Sequence, residues 1–445
     1  MEKVSTSAVA TIVATSSELA VPHNLKLSKR FVCSAILGFN TVHAMETRRR
    51  QNVSEDLLTV SRSNTRSSTL ANKGENSAET IPIDLIIEIL LKLPVKSLAR
   101  CRSILWDSII RRPHFTELIL NRSLARPRLL LAQVIEDDVF FFSSPQLQNP
   151  DENLSPVAAT YHMKFQFYGG SRLFHNNVHG LVFLKYMEKG KKDEVMVICN
   201  PSTGQSLTPP KVKTTRIDVY SFLGYDPIDK QFKVLSMTCS LPERTTEQHQ
   251  VLTLGGTGKL SWRMIECSLP HYPQSDGICI NGVLYYKAKV YGVESNSGIV
   301  CFDIRSEKFE LIPKFDFFTP WMLNYMGRLA ILKWDDDFQM VTTMSFELCV
   351  LEDAKKHEWS TRTFVPPALW NEDVTLDVVG FTRRGEIVLS QCYSSNLLFL
   401  IYYNPERSTL TKVDIQGMDA FKHNKVHFFL DHVEDVKLGG VFRTV

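Results

Sequence analysis

From about residue 129 to the end of the chain one pattern recurs, and it leaves few folds open. A small-residue turn starts a short β-rich run, a second run ends in a polar turn, and a third closes on Pro or Thr. "HGLVFLKY…VMVICNPSTGQSLTPP" is echoed by "NGVLYYKA…GIVCFDIRSEKFELIP", by "MGRLAILKW…FELCVLEDAKKHEWSTRTF" and by "RGEIVLSQ…LLFLIYYNPERSTLTKVD". The anchoring glycines Gly180, Gly224, Gly282, Gly327 and Gly385 stand 44, 58, 45 and 58 residues apart. That is close to the ~40–50 residues of a four-stranded propeller blade with insertions. Strands are expected at Val195–Cys199, Phe232–Met237, Val283–Tyr286, Ile299–Ile304, Leu329–Leu332, Phe346–Leu351, Ile387–Leu389 and Leu397–Tyr403. A unit of this size cannot bury its own face and must stack on neighbours. The expectation is a large all-β, propeller-like (kelch-like) domain of five or six sheets over 161–435, with a β-sandwich pair as the alternative.

The remainder divides differently. Residues 1–80 are rich in Ser, Thr, Ala and Asn without sustained apolar periodicity, and are expected to be disordered. Residues 1–44 carry Glu2 and Glu18 against four bases, which faintly suggests a transit peptide; the plainer reading is that Met45 is the start. Residues 81–123 read as helical, punctuated by Pro82, Pro94 and Pro113. Residues 124–160 read as a linker.

No apolar run approaches the ~18 residues of a membrane span, so no membrane partner is expected. Nine cysteines, an odd number without a C-x-x-C pair, fit a reducing cytoplasm or nucleus better than a disulfide framework. The net charge of +3 hides an asymmetry, with nine Lys/Arg against four Asp/Glu in 83–128 and 32 against 37 beyond it. A basic segment of this kind calls for an acidic partner. It lacks the interleaved aromatics of a nucleic-acid surface, and no nucleic-acid partner is expected.

The first helix carries the argument about function. Over Ile83–Lys92 its polar residues Asp84, Glu88 and Lys92 fall four apart and form one narrow line, while apolar side chains cover nearly everything else. A helix apolar almost all round must be covered almost all round, and about 45 residues are too few to do so alone. Each large side chain left in water forgoes roughly 1.5–3 kcal/mol. Either the β domain or a partner must supply the cover.

The stretch "IPIDLIIEILLKLPVKSLARCRSILWDSIIRRPHFTELILNRSLARPRLLL" resembles the F-box of plant F-box proteins through Leu93-Pro94, Val95-Lys96-Ser97-Leu98, Arg100 and Trp106. Downstream, "CNPSTGQSLTPP", "LGYDPIDKQFKVL" and "VLTLG-GTGKLSWRMIEC" resemble the F-box-associated (type 3-like) domain of a large plant subfamily. The resemblance spans about 81–435. It implies a small three-helix F-box before the β domain, and a substrate-receptor subunit of an SCF-type ubiquitin ligase. Such a subunit docks on a Skp-type adaptor and, through it, a cullin scaffold, recruits a target protein through the β domain, and has no catalytic site or cofactor of its own. Ile83, Leu85, Ile86, Ile89, Leu93, Pro94, Val95, Leu98 and Trp106 are then the adaptor contact or the F-box core. One departure stands out: three residues separate Arg102 from Trp106 where the family usually has five. In a continuous helix this would turn Trp106, Ile109 and Ile110 by about 200°. A defective F-box on a non-ligase scaffold therefore stays open, as does a ligand-binding or enzymatic propeller.

Other chemistry is thinly represented. "GGTGKL" at 255–260 lacks the outer residues of a phosphate loop, having Thr253 and Leu260, and reads as a strand-to-strand turn. His423, His427 and His432 lack a third metal ligand at a sensible spacing, and Asp335-Asp336-Asp337 lacks the alternation of a calcium loop. For target binding, "FFTPWMLNYMG" (Phe317–Gly327) reads as an aromatic loop, with Trp321 and Tyr325 as candidates.

Overall fold

A computed structural model describes residues 82–101, 107–110, 112–147, 156–167, 169–188, 190, 194–212, 214, 218–239, 246–255, 259–292, 296–313, 321–335, 345–367, 376–391, 398–418, 425–436 and 443–444. The expectations for residues 1–80 and for Trp106 lie outside the described residues.

Among the described residues four helices precede the strands: α1 (Ile83–Leu91), α2 (Val95–Cys101), α3 (Asp107–Ile110) and α4 (Pro113–Ala125). Three were expected. Asp84 in the first turn of α1 complements the helix dipole. Pro94 stops α1 and opens α2, its carbonyl accepting the N–H groups of Ser97 and Leu98 at 2.9 and 3.1 Å. Pro113 occupies the first turn of α4, where a missing N–H costs nothing. None of these helices is long and apolar enough to cross a membrane.

The rest is a six-bladed β-propeller. The first blade holds β1 (Arg128–Ile135), β2 (Asp138–Pro145) and β4 (Thr160–Gln166). The second holds β5 (Gly169–Val178), β6 (Leu181–Glu188), β7 (Glu194–Asn200) and β8 (Gln205–Leu207), and the third β9 (Asp218–Asp226), β10 (Gln231–Cys239), β11 (Thr246–Leu254) and β12 (Arg263–Ile265). In the fourth, β13 (His271–Pro273) and β14 (Ile278–Ile280) both pair with β15 (Val283–Val290), followed by β16 (Ser297–Asp303) and β17 (Phe309–Pro313). The fifth holds β18 (Trp321–Tyr325), β19 (Arg328–Asp335), β20 (Ser345–Asp353) and β21 (Glu358–Phe364). The sixth holds β22 (Leu376–Phe381), β23 (Ile387–Gln391), β24 (Leu398–Asn404) and β25 (Thr409–Gln416), edged in parallel by β3 (Val157–Ala158). The innermost strand of the first blade comes from the far end of the chain: β26 (Val426–His432) pairs antiparallel with β1 and packs against β22, closing the ring. A short β27 (Arg443–Thr444) edges the second blade.

Six of the eight expected runs lie wholly in strands; Ile299–Ile304 runs one residue past β16 into a turn, and of Leu397–Tyr403 the described residues 398–403 lie in β24. The linker expected at 124–160 is corrected, because it carries the end of α4, β1, β2 and β3. The propeller therefore begins at Arg128 rather than at 161, with Glu136-Asp137 in place of a glycine turn between β1 and β2. Gly224 is also not a turn residue. It sits within β9, where a Cβ would meet the buried Ile304 side chain at 2.2 Å.

Two turn designs repeat around the ring. His179-Gly180, Asn281-Gly282 and Met326-Gly327, each joining the first and second strands of a blade, have paired positive φ of 47/87°, 48/87° and 52/83°. This is the signature of a type I′ turn, whose twist matches that of the strands it joins. The second design pairs an Asn or Asp with a positive-φ residue four positions on: Asn200/Gly204, Asp226/Lys230, Asp303/Glu307, Asp353/His357 and Asn404/Ser408. Each leading side chain accepts a backbone N–H from two or three residues ahead, as Asp303 does from Ser306 at 2.6 Å and Asn404 from Glu406 at 3.0 Å.

Between blades the inward residues interdigitate. Leu332, Phe346, Leu348 and Val350 of the fifth blade meet Ile387, Leu389, Ile401 and Tyr403 of the sixth.

Candidate functional site

The helical segment builds a small core from Leu90, Val95, Leu98, Ile109, Ile110, Phe115 and Ile119, with Val436 arriving from beyond β26. Ile86, Ile87, Leu91 and Leu93 pack half-buried against it. Ile110 is fully buried and Ile109 nearly so. The two-residue shortening before Trp106 has thus not cost these isoleucines their place in the core.

This sorts the residues marked in the sequence. Val95 and Leu98 belong to the core, and Ile86 and Leu93 flank it. Ile83, Leu85 and Ile89 remain 40%, 51% and 44% exposed, and Pro94 is exposed as well. Leu85 and Ile89 stand one turn apart, next to the exposed Glu88–Lys92 ion pair of 3.0 Å. The β domain does not cover this face of α1.

What the β domain does is hold the helical segment in place. Strands run up and down alternately within each blade, so the turns joining first to second strands all lie at one end of the ring. The helices sit at that end. Arg383, in such a turn of the sixth blade, donates to the Leu124 carbonyl at 2.7 Å, and Lys230, in the corresponding turn of the third, pairs with Glu117 of α4. The Lys96 ammonium lies 4.8 Å from the Tyr161 ring centroid. Beyond β26, Asn200 donates to the Asp435 carbonyl at 2.8 Å and the Ser123 hydroxyl accepts the Glu434 N–H at 2.7 Å.

The same joint holds a buried polar cluster. His162 shares a 2.6 Å hydrogen bond with Ser143, whose hydroxyl also accepts from Arg128 at 2.8 Å, and His432 lies 3.2 Å from the Ser202 hydroxyl. Burial first, then neighbouring positive charge, pushes both imidazoles down to about 3, so both are neutral. His427 shares β26 with His432, but neither belongs to a group of three metal-capable side chains among the described residues; His423 lies outside them.

Trp321 and Tyr325 do not stand on a loop. Residues 321–325 form β18, and both side chains pack half-buried against the core between the fifth and sixth blades. Tyr325 meets Phe381 edge-on with centroids 4.9 Å apart. Residues 317–320 lie outside the described residues. Gly255, Lys259 and Leu260 lie in the connection from β11 to β12, the strand-to-strand position expected of "GGTGKL".

Comparison with known proteins agrees with this architecture. The model of the F-box associated beta propeller domain matches residues 128–433, from the first residue of β1 to the residue after β26. Among curated proteins, the chain is 50% identical over 400 residues to F-box protein DOR of Arabidopsis thaliana, covering 88% of this chain and 99% of that protein. It is 48% identical over 405 residues to F-box protein At5g65850 of the same plant, covering 87% and 98%. A third, F-box protein At3g61340, is 44% identical over 415 residues, covering 86% and 100%. The chain belongs to the F-box-associated β-propeller family of plant F-box proteins.

Proposed function

We propose that the chain is a substrate-receptor subunit of an SCF-type ubiquitin ligase. In this reading residues 81–123 are the F-box and dock on a Skp-type adaptor bound to a cullin, while the propeller recruits the protein to be ubiquitinated in the cytoplasm or nucleus. The observation that carries it is the uncovered apolar face of α1. Leu85 and Ile89, together with Ile83, stay exposed in a fold that buries Leu90 and half-buries Ile86, Ile87 and Leu91 of the same helix. Covering two such side chains on a partner recovers roughly 1.5–3 kcal/mol each, and the basic character of the segment suits an acidic partner. The relatives, named F-box proteins, support an adaptor role without catalysis. The burial of Ile109 and Ile110 weighs against a defective F-box.

The receptor contributes proximity: it raises the local concentration of target lysines near a conjugating enzyme. With the helices at one end of the ring, the other end is turned away from the adaptor. The described strands flanking 314–320, 336–344 and 392–397 open toward that far end, and the target is assigned to it.

The test is co-expression of the full chain with a Skp-type adaptor and a cullin, followed by size-exclusion chromatography. A co-eluting stoichiometric complex is expected. Absence of the adaptor from the peak of a folded receptor overturns the reading.

A further inference from the structure

The propeller carries a group that neither the family nor the ubiquitin-ligase reading uses. His249 on β11, Cys267 after β12 and His271 at the start of β13 each bring one ligand-capable atom into a cluster in which all three lie within 4.8 Å of one another. Two blades contribute, so no sequence spacing advertises the set. His249 and His271 are buried, while Cys267 is only half-buried and opens the cluster to solvent.

The hydrogen bonding is incomplete in an informative way. The His271 Nδ1 lies 2.8 Å from the Leu269 carbonyl, which can only accept, so Nδ1 carries the proton. Its Nε2 then accepts from the Tyr286 hydroxyl at 2.8 Å, and that hydroxyl has the Met237 sulfur 3.6 Å away as a second acceptor. An imidazole oriented by Nδ1–H donation to a backbone carbonyl is in the tautomer that metal-ligating histidines use. Across from it the His249 Nε2 is buried without a hydrogen-bond partner. The His249 ring meets Phe309 edge-on at 5.2 Å and lies 5.6 Å from the His271 ring. A buried imidazole nitrogen with no partner is costly to keep, and a metal ion is one way to satisfy it.

We propose that His249, Cys267 and His271 form a binding site for a borderline-soft divalent transition metal, zinc being the commonest cellular candidate. One thiolate and two imidazoles are a zinc donor set, and the half-buried position of Cys267 leaves the fourth position to water. Tetrahedral donors around zinc stand roughly 3.3–3.8 Å apart, so the three close in by about 1 Å on binding. Cys267 releases its proton to solvent as the Zn–S bond forms. His271 exchanges one of its two hydrogen bonds for the metal. The site tethers the connection 266–270 between the third and fourth blades, at the end of the ring opposite the helices.

The test uses the full chain, stripped with a chelator and titrated with Co²⁺ and, separately, Zn²⁺. Wild type is expected to bind one equivalent of Co²⁺ with tetrahedral ligand-field bands and a thiolate-to-cobalt charge-transfer band. Zinc is expected to raise its melting temperature. Cys267→Ser, at a half-exposed position, is expected to fold, to lose the charge-transfer band and to bind zinc at least tenfold more weakly. His249→Gln is expected to weaken zinc by a similar factor. Two outcomes overturn the proposal: a folded wild type with no cobalt spectrum and no zinc-dependent melting shift, or a Cys267→Ser variant that binds like wild type.

Discussion

The Ser123 hydroxyl accepts the Glu434 backbone N–H at 2.7 Å, joining positions 311 residues apart. Two residues on, Val436 is buried in the core of the helices. The segment leaving β26 therefore closes the propeller ring and then fastens the helical module to it. Val436→Ala should cost about 2 kcal/mol, and Ser123→Ala about 1–2 kcal/mol by leaving the Glu434 N–H unpaired. Hydrogen exchange should show lost protection in α1 and α4 as well as at 434–436. A loss confined to 434–436 would mean that the strap does not hold the helices.

Gly180 faces that strap from the second blade. It has φ +87°, and a Cβ there would lie 2.2 Å from the Val433 carbonyl oxygen. Gly180→Ala combines left-handed strain of about 1–2 kcal/mol with a backbone clash, so a loss of roughly 3 kcal/mol or more is expected. Gly190 has φ +78° with nothing within 4 Å of its virtual Cβ, and Gly190→Ala should cost only the strain, about 1 kcal/mol. Urea midpoints of the two variants compare them directly; equal losses would deny the close approach at Val433.

The eight strands were legible because alternating inward residues and turn chemistry are local signals. Closure was not, because Val426–His432 pairs with a strand nearly three hundred residues earlier and nothing in either segment names its partner. Arg128–Ile135 and Asp138–Pro145 fall in the stretch expected as a linker, because Glu136-Asp137 stands between them where a glycine turn would mark a hairpin. In α1 the excess of apolar residues was plain from periodicity. Which of them stayed outside was not, since it depended on Ile109, Phe115 and Val436 taking up the opposite face. Tyr325 reads in the sequence as part of an aromatic loop, yet its ring lies against Phe381 of the next blade.

Stability should fall in mild acid. His162 and His432 are neutral in the fold, pushed down to about 3 by burial, then by Arg128 and, for His162, also by His432 and Lys96. Unfolded, each takes a proton near pH 6.5. Their contribution is therefore complete above about pH 6.5 and is lost as pH falls from there toward the folded value. Each should cost about 1 kcal/mol between pH 7.5 and 5.5. His432→Asn should flatten the profile of urea midpoint against pH; an unchanged slope would place the linkage elsewhere.

The exposed face of α1 offers a sharper mutation than the Leu93-Pro94 turn, because Leu93 also packs on the helical core. Leu85→Arg/Ile89→Arg changes two side chains that are 51% and 44% exposed, so the melting temperature of the free receptor should move little. Leu98→Ala, fully buried, should instead destabilise the helices by about 2–5 kcal/mol. The decisive measurement is the dissociation constant of a Skp-type adaptor for the full chain and for Leu85→Arg/Ile89→Arg, with thermal melts alongside. Weakening of at least a hundredfold with an unchanged melt is the expected result. Equal affinity of the two chains, or no adaptor binding by the folded wild type, would contradict an adaptor docked on α1.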